Sequence, residues 1–546
     1  MADLPSTASE TLTPGERELL APYVTNTQGS VFALTHLPEV IKGALFSRYS
    51  RSALGLRLLL LKEFIQAPEA DFAGIAGGAG APGGPPGGRL AVERAQSFYD
   101  RILDGYGDDS IGELGGAHLA LEDVSMIAAK ELEDARIGGS PLEKSTRYVS
   151  FADKVGGEYR FCREPTLLAS RHRERYLGTC RALFQTYAEL LDPVGAWVSG
   201  HSPRAPDTGA AAWRQSVRAG TFDALRGLLP AATLTNVGIF GNGRFFETLL
   251  IKLHLSPLAE LRGLGAAARA ELAQVIPSFI RRGDPAHPHF AGFRDHARAQ
   301  QEALRGVIPA LPVPETVPVE SVRLVDFDPQ AEAKILAALL YPHVQHDLPA
   351  LRAWAAALPE DELAHRFREV AEARQNRRHK PPRAFEAAYY TFDLLGDFGM
   401  YRDLHRHRML TQQRQTLTTR HGYDVPEEVE AAGVAARYRA ALALAADAFE
   451  AIQADHPLEA QYVVPMAYRI RWTMHINLRA LLWLVELRSQ PQGHPAYRRM
   501  AQDLFRRVAE VHPRLAEVFR FVDLGDHALG RLAAEQRHEE RQPGRG

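Results

Sequence analysis

Two landmarks recur at one spacing in the two halves of this chain, and they limit its fold more than any other feature. Pro230 precedes Asn242-x-Arg244 by 12 positions, and Pro465 precedes Asn477-x-Arg479 by the same 12. The segments carrying them, ALRGLLPAATLTNVGIFGNGRFFETLLIKLHL and EAQYVVPMAYRIRWTMHINLRALLWLVELR, need no gap between landmarks. Each is preceded by an acidic residue, Glu113 in GDDSIGELGG and Glu386 in RAFEAAYYTF. Apolar residues at helical spacing follow: Leu121, Val124, Ile127, Ala128 and Leu132 in the first half, Phe398, Tyr401 and Leu404 in the second. That period predicts an amphipathic helix in both places. At 546 residues the chain is too long for one ordinary core. Self-similarity at this scale therefore reads as a tandem duplication.

Punctuation supports the division. VIPALPVPETVPVESVRLVDFD (307–328) carries Pro309, Pro312, Pro314 and Pro318, which favour extended backbone over helix. We expect a first repeat over 25–305, a linker over 306–322 and a second repeat over 323–535. Within the first, the Gly/Pro run 74–89 reads as a flexible loop. The expected class is α+β: two copies of one fold of strands and long helices, packed as an intrachain pseudo-dimer.

A formal net charge of −2 argues against a wholly basic nucleic-acid-binding surface, though not against a local basic pocket. Two cysteines, Cys162 and Cys180, suit a reducing compartment and read as buried thiols. The N-terminus lacks a basic start followed by an apolar run, and the apolar stretches LGLRLLLL and LRALLWLVEL are short and interrupted by Arg. A cytoplasmic protein without membrane association is expected. His405-x-His407 has no Cys or carboxylate set to complete a metal site, so none is assigned. Nor does the Gly-rich run, broken by prolines, make a dinucleotide-binding Gly-x-Gly-x-x-Gly turn.

The stretch RHRMLTQQRQTLT (406–418) and its surroundings resemble the flavin-dependent thymidylate synthases. Their signature is Arg-His-Arg-x-x-Ser-x-Asn-x-x-Ser-x-Arg-Tyr. The second half offers Arg406-His407-Arg408, then Thr411, Gln413 and Thr416, but Thr418 stands where an Arg belongs. The first half keeps the later part, Ser140, Glu143, Ser145, Arg147 and Tyr148, while Asp-Ala-Arg at 134–136 only loosely replaces Arg-His-Arg. Downstream, Arg226 lies four positions before its Pro where the second half has Gln461. Arg488 closes the second-half helix where the first has Leu253. The losses are complementary.

The resemblance implies a site shared between subunits, here between repeats. Ser145, Arg147 and Arg226 of the first copy, with Arg406 and Arg488 of the second, would bind dUMP; the reciprocal site would be broken. It also implies an FAD site drawing on Glu143, Arg406, His407, Arg408 and Asn477, with NADPH and methylenetetrahydrofolate as co-substrates. A homodimer carrying four repeats is implied as well. The residue types suit that chemistry. A guanidinium fork binds two phosphate oxygens at once, and a Ser hydroxyl both donates and accepts. On one helix Asn477 and Arg488 would lie roughly 20° apart in projection and about three turns apart. No protein nucleophile is assigned. Two alternatives remain: a flavin- or nucleotide-binding pseudoenzyme, and an interaction protein whose basic pocket takes another anion such as RNA phosphate.

Overall fold

The structure, a computed structural model, describes residues 12–49, 52, 54–66, 112–135, 137–312 and 319–541. The Gly/Pro run 74–89, Arg136 and the prolines at 314 and 318 lie outside the described residues. The chain forms two compact units. One comprises Met1–Glu122, Glu131–Glu143 and Asn236–Val313; the other comprises Asp123–Lys130, Lys144–Thr235 and Pro314–Gly546. Residues 144–235 of the first half are thus built into the same unit as the second half.

In the first unit lies a three-stranded sheet, apart from the ends of two strands. It comprises β1 (Gly116–Ser125), β2 (Gly139–Glu143) and β3 (Leu234–Asn242) in the order β1-β3-β2. The second unit holds β4 (Val322–Phe327), β5 (Tyr389–Asp397), β6 (Leu410–Arg414) and β7 (Arg469–Asn477) in the order β4-β5-β7-β6. The order β5-β7-β6 repeats β1-β3-β2, with β4 added at an edge. In β7, Ile470, Trp472, Met474 and Ile476 are buried while Thr473 and His475 are exposed, as expected for a sheet with one face on the core. The helices Arg173–His201, Ala210–Leu225 and Ala435–Gln453 pack together through residues such as Tyr187, Phe222, Tyr438 and Leu442. No described helix is long and apolar enough to cross a membrane.

The landmark residues have local physical roles. Asn242 caps the helix Gly243–His254 by accepting from Phe245 N at 2.9 Å, and Asn477 caps Leu478–Arg488 by accepting from Ala480 N at 2.9 Å. Arg244 pairs with Glu113 at 2.8 Å and Arg479 with Glu386 at 2.9 Å, so the acidic and basic landmarks of each copy meet each other. The prolines mark a pseudo-two-fold inside the second unit, where Pro230 bridges Pro465 antiparallel. Ala231 N donates to Val464 O and Met466 N to Leu229 O; Ala232 N donates to Tyr462 O and Ala467 N to Gly227 O, each at 2.9 Å. A shift of 235 residues turns each bond of these pairs into the other.

One local expectation needs correction. Leu121 and Val124 lie on β1, and only Ile127, Ala128 and Leu132 are helical, in Met126–Glu133. Asp123 adopts a positive φ of 55°, which breaks strand alternation, so burial passes from Leu121 to Val124 and Ser125, and the apolar pair 121/124 imitates a helical step. After β2 the stretch RYVSF (147–151) is a turn: Ser145 Oγ accepts from Arg147 N and Ser150 Oγ from Ala152 N, and such local bonds compete with a sheet ladder.

Candidate functional site

Within the second unit, arginines from both halves of the chain converge on two aspartates. Arg147 leaves the Ser145-capped turn and binds Asp223 with both forks, Nε to Oδ1 and Nη2 to Oδ2, each at 2.8 Å. Its Nη1 donates to Tyr497 Oη at 3.0 Å. Asp223 is on the helix Ala210–Leu225, and Arg226 begins the short 3-10 helix that follows. That placement leads directly into the inter-repeat ladder, which brings the first-copy Arg226 onto the second-copy helix Phe398–Leu404.

There, Arg226 Nη1 donates to Asp403 Oδ2 at 3.0 Å, and Arg406 Nη2 donates to Asp403 Oδ1 at 3.1 Å. Gly399 leaves the room required: a Cβ there would sit 3.2 Å from Arg226 Nε and Nη2. Arg226 is 4% exposed, and its Nη2 is a buried donor with no protein partner. Such a group costs stability unless something accepts from it. Arg488, the last residue of its helix, lies 5.6 Å from the centroid of the Tyr497 ring, and Arg147 lies 5.5 Å from the same ring.

The electrostatics identify the focus. Burial works to raise the Asp403 pKa, but Arg226, Arg147, Arg406 and Arg488 together hold it far below the usual carboxylate range. These are the four arginines expected from the sequence, two from each copy. Asp223, likewise opposed by burial, is held at about 2 by Arg147, His494 and Arg531. Asp397, beside Arg226, is pushed up by burial. Even with Asp397 ionised, five guanidiniums (147, 226, 406, 488 and 531) meet three carboxylates. Within that set positive charge exceeds negative, as an anion site requires.

Two histidines stay neutral. Burial, then Arg488 and Arg406, drive His407 well below its ordinary value. Since Arg488 Nε donates to His407 Nε2 at 3.0 Å, the ring proton sits on Nδ1. His494 is pushed down to about 3, chiefly by burial. Its Nδ1 accepts from Ala496 N, leaving Nε2–H to donate to the Asp223 carbonyl at 3.2 Å.

Arg406, His407 and Arg488 also line a cavity of about 380 Å³. Its wall adds Arg374, Arg377, Lys380, Arg408 and Arg479 against one acid, Glu386. Trp483 supplies an aromatic surface, with Lys380 Nζ 5.0 Å and Arg377 5.6 Å from its ring. A ligand with a flat ring and a diphosphate fits such a lining.

Of the expected site residues, Arg147, Arg226, Arg406 and Arg488 come together. Ser145 shapes the Arg147 turn. His407, exposed Arg408 and Asn477 face the cavity, although Asn477 is a helix cap at the end of β7 rather than a residue within the helix, so the helix runs between it and Arg488. Glu143 ends β2 opposite Val237 in the first unit. Sequence reasoning missed Asp223, Asp403, Tyr497, Trp483 and Arg531. Only Asp403 had a local signal, a carboxylate three residues before Arg406.

Comparisons agree with this duplication. The sequence profile of the thymidylate synthase complementing protein family matches residues 81–278 and again 323–514. A UPF0159 protein of Chlamydia muridarum is 47% identical over 525 residues, 96% of this chain and 98% of the relative. Another, from Chlamydia pneumoniae, is 48% identical over 532 residues, 97% and 98% of the two chains. One from Thermoplasma acidophilum is 32% identical over 522 residues, 91% and 98%. Among solved structures, a UMP/dUMP methylase from Streptomyces cacaoi bound with 5-Br dUMP covers 37% of this chain and 94% of its own, at 18% identity and a TM-score of 0.30. Two profile matches in one chain, over copies that repeat strand order and capped helices, show that it belongs to the thymidylate synthase complementing protein family, the flavin-dependent thymidylate synthases, as a tandem duplication.

Proposed function

We propose that this protein methylates dUMP to dTMP, with methylenetetrahydrofolate as one-carbon donor, NADPH as reductant and FAD as cofactor, at one composite site per chain. The observation that carries the reading is Asp403, where two arginines from each copy converge. Their excess charge suits the 5′-phosphate, and the buried Nη2 of Arg226 gains an acceptor when that phosphate binds. FAD fits the basic, Trp483-walled cavity; when bound it supplies hydride carriage between the nicotinamide and the one-carbon unit.

The chain's own share is orientation and electrostatics. Arg488 donates to His407 Nε2 and both side chains line the cavity, so the anion site and the cavity are joined through one hydrogen bond. The reciprocal positions carry Thr418, Gln461 and Leu253 in place of Arg147, Arg226 and Arg488, which leaves no anion site there. In this reading two chains assemble as a homodimer of four repeats in the cytoplasm.

The test is dTMP formation by FAD-loaded protein. NADPH oxidation coupled to dTMP, dependent on both dUMP and methylenetetrahydrofolate, is expected. Bound flavin and bound dUMP without any dTMP would refute the synthase reading and leave a nucleotide-binding pseudoenzyme.

A further inference from the structure

The family profile ends at residue 514, yet the described chain continues to 541 and returns to the arginine cluster. The return path is tied to the helix Pro495–Val511: Arg498 Nη2 donates to the Gly525 carbonyl at 2.8 Å, and Gln502 Nε2 to the Asp523 carbonyl at 3.0 Å. Gly530 then passes so near Pro491 that a Cβ would sit 1.8 Å from its carbonyl oxygen, a gap only glycine tolerates. This close passage delivers Arg531, which is 5% exposed. Its Nη1 donates to the Arg147 carbonyl at 3.2 Å, its Nη2 to Asp223 Oδ2 at 3.4 Å and its Nε to the Gln492 carbonyl at 3.4 Å.

Asp223 would otherwise work against anion binding. A carboxylate that engages Arg147 through both oxygens cancels much of the charge Arg147 can offer a phosphate. We propose that Arg531, from the segment beyond the family profile, is a positioning residue of the nucleotide site: it shares Asp223 and so leaves Arg147 with positive charge for the phosphate. The inference rests on the composite dUMP site proposed above. With Arg531 present, one carboxylate faces two guanidiniums; without it, Arg147 and Asp223 form a neutral pair. Arg531 acts through Arg147 by way of Asp223 Oδ2, the carboxylate oxygen that both guanidiniums share.

Titrations of dUMP and deoxyuridine into FAD-loaded, full-length protein test this. Arg531→Met should weaken dUMP by about tenfold while deoxyuridine affinity and flavin content stay unchanged. Arg531→Lys, which keeps the charge, should remain within about threefold of wild type, and Asp223→Asn combined with Arg531→Met should recover most of the loss. Wild-type dUMP affinity in Arg531→Met, or no recovery in the double variant, overturns the inference. If Arg531→Met does not fold, Arg531→Gln takes its place alone and in the double variant, and the same losses and recoveries decide. A wild-type protein that binds dUMP no better than deoxyuridine instead refutes the composite site and takes this inference with it.

Discussion

Replacing Arg226 by glutamine, the residue at the matching position of the second copy, isolates the charge on which the site reading depends. The substitution is sterically modest. Buried Gln461 already shows how such a side chain is satisfied, accepting from Leu417 N at 2.9 Å and donating to Leu458 O at 3.0 Å. The folded protein loses the Arg226–Asp403 pair, whose side chains are 4% and 12% exposed. Losing one partner of a buried pair costs about 3–5 kcal/mol, but Arg406 remains on Asp403, so a cost nearer 2 kcal/mol is expected. For dUMP, the protein loses a charge-assisted donor worth about 1.5–3 kcal/mol, or roughly 10- to 100-fold in affinity. Deoxyuridine has no phosphate and should change less than about twofold. Calorimetric titration of both ligands into FAD-loaded wild type and Arg226→Gln at one salt concentration measures the contrast. A dUMP loss below about threefold, or an equal loss for deoxyuridine, would refute the placement of the phosphate beside Arg226.

Other consequences concern stability. Asp223 has a folded pKa of about 2 against an unfolded value near 3.9, so its stabilisation of about 2–3 kcal/mol is complete above the unfolded value and lost as pH falls toward 2. Wild type minus Asp223→Asn, measured by denaturant unfolding, should therefore be largest at about pH 5 and shrink on acidification; a pH-independent difference would contradict the pairing. Glu486 binds Arg374 through both oxygens at 2.8 and 2.7 Å, with side chains 0% and 4% exposed. Glu486→Gln should cost about 3 kcal/mol in urea unfolding and leave the ratio of dUMP to deoxyuridine affinity unchanged.

Much of the architecture was legible because backbone requirements keep their residues. Both Asn caps, both Arg–Glu pairs and both prolines survive in each copy, since each copy needs them to fold. The arginines were legible for the opposite reason: each was present in one copy only, and the absences interlocked. What escaped were partners defined by tertiary approach. Asp223, Tyr497 and Arg531 look like ordinary helix or tail residues, and nothing in their sequence neighbourhood marks them as sharing a site with Arg147. The boundary between β1 and its helix escaped because a left-handed residue at Asp123 shifts strand burial into a helical rhythm.

The ladder joining 227–232 to 462–467 has a further consequence. In an assembly of identical subunits a substitution is made everywhere at once, so no site can lose an arginine while its twin keeps one. In this chain the two sides of the same pairing are encoded separately. The ladder bonds use only backbone N–H and C=O groups, so side chains on either side can diverge without loosening it. Covalent linkage thus lets one of two otherwise equivalent sites keep its arginines while the other goes without them. Thr418 and Leu253 stand on one side of that division, and Arg147 and Arg488 on the other.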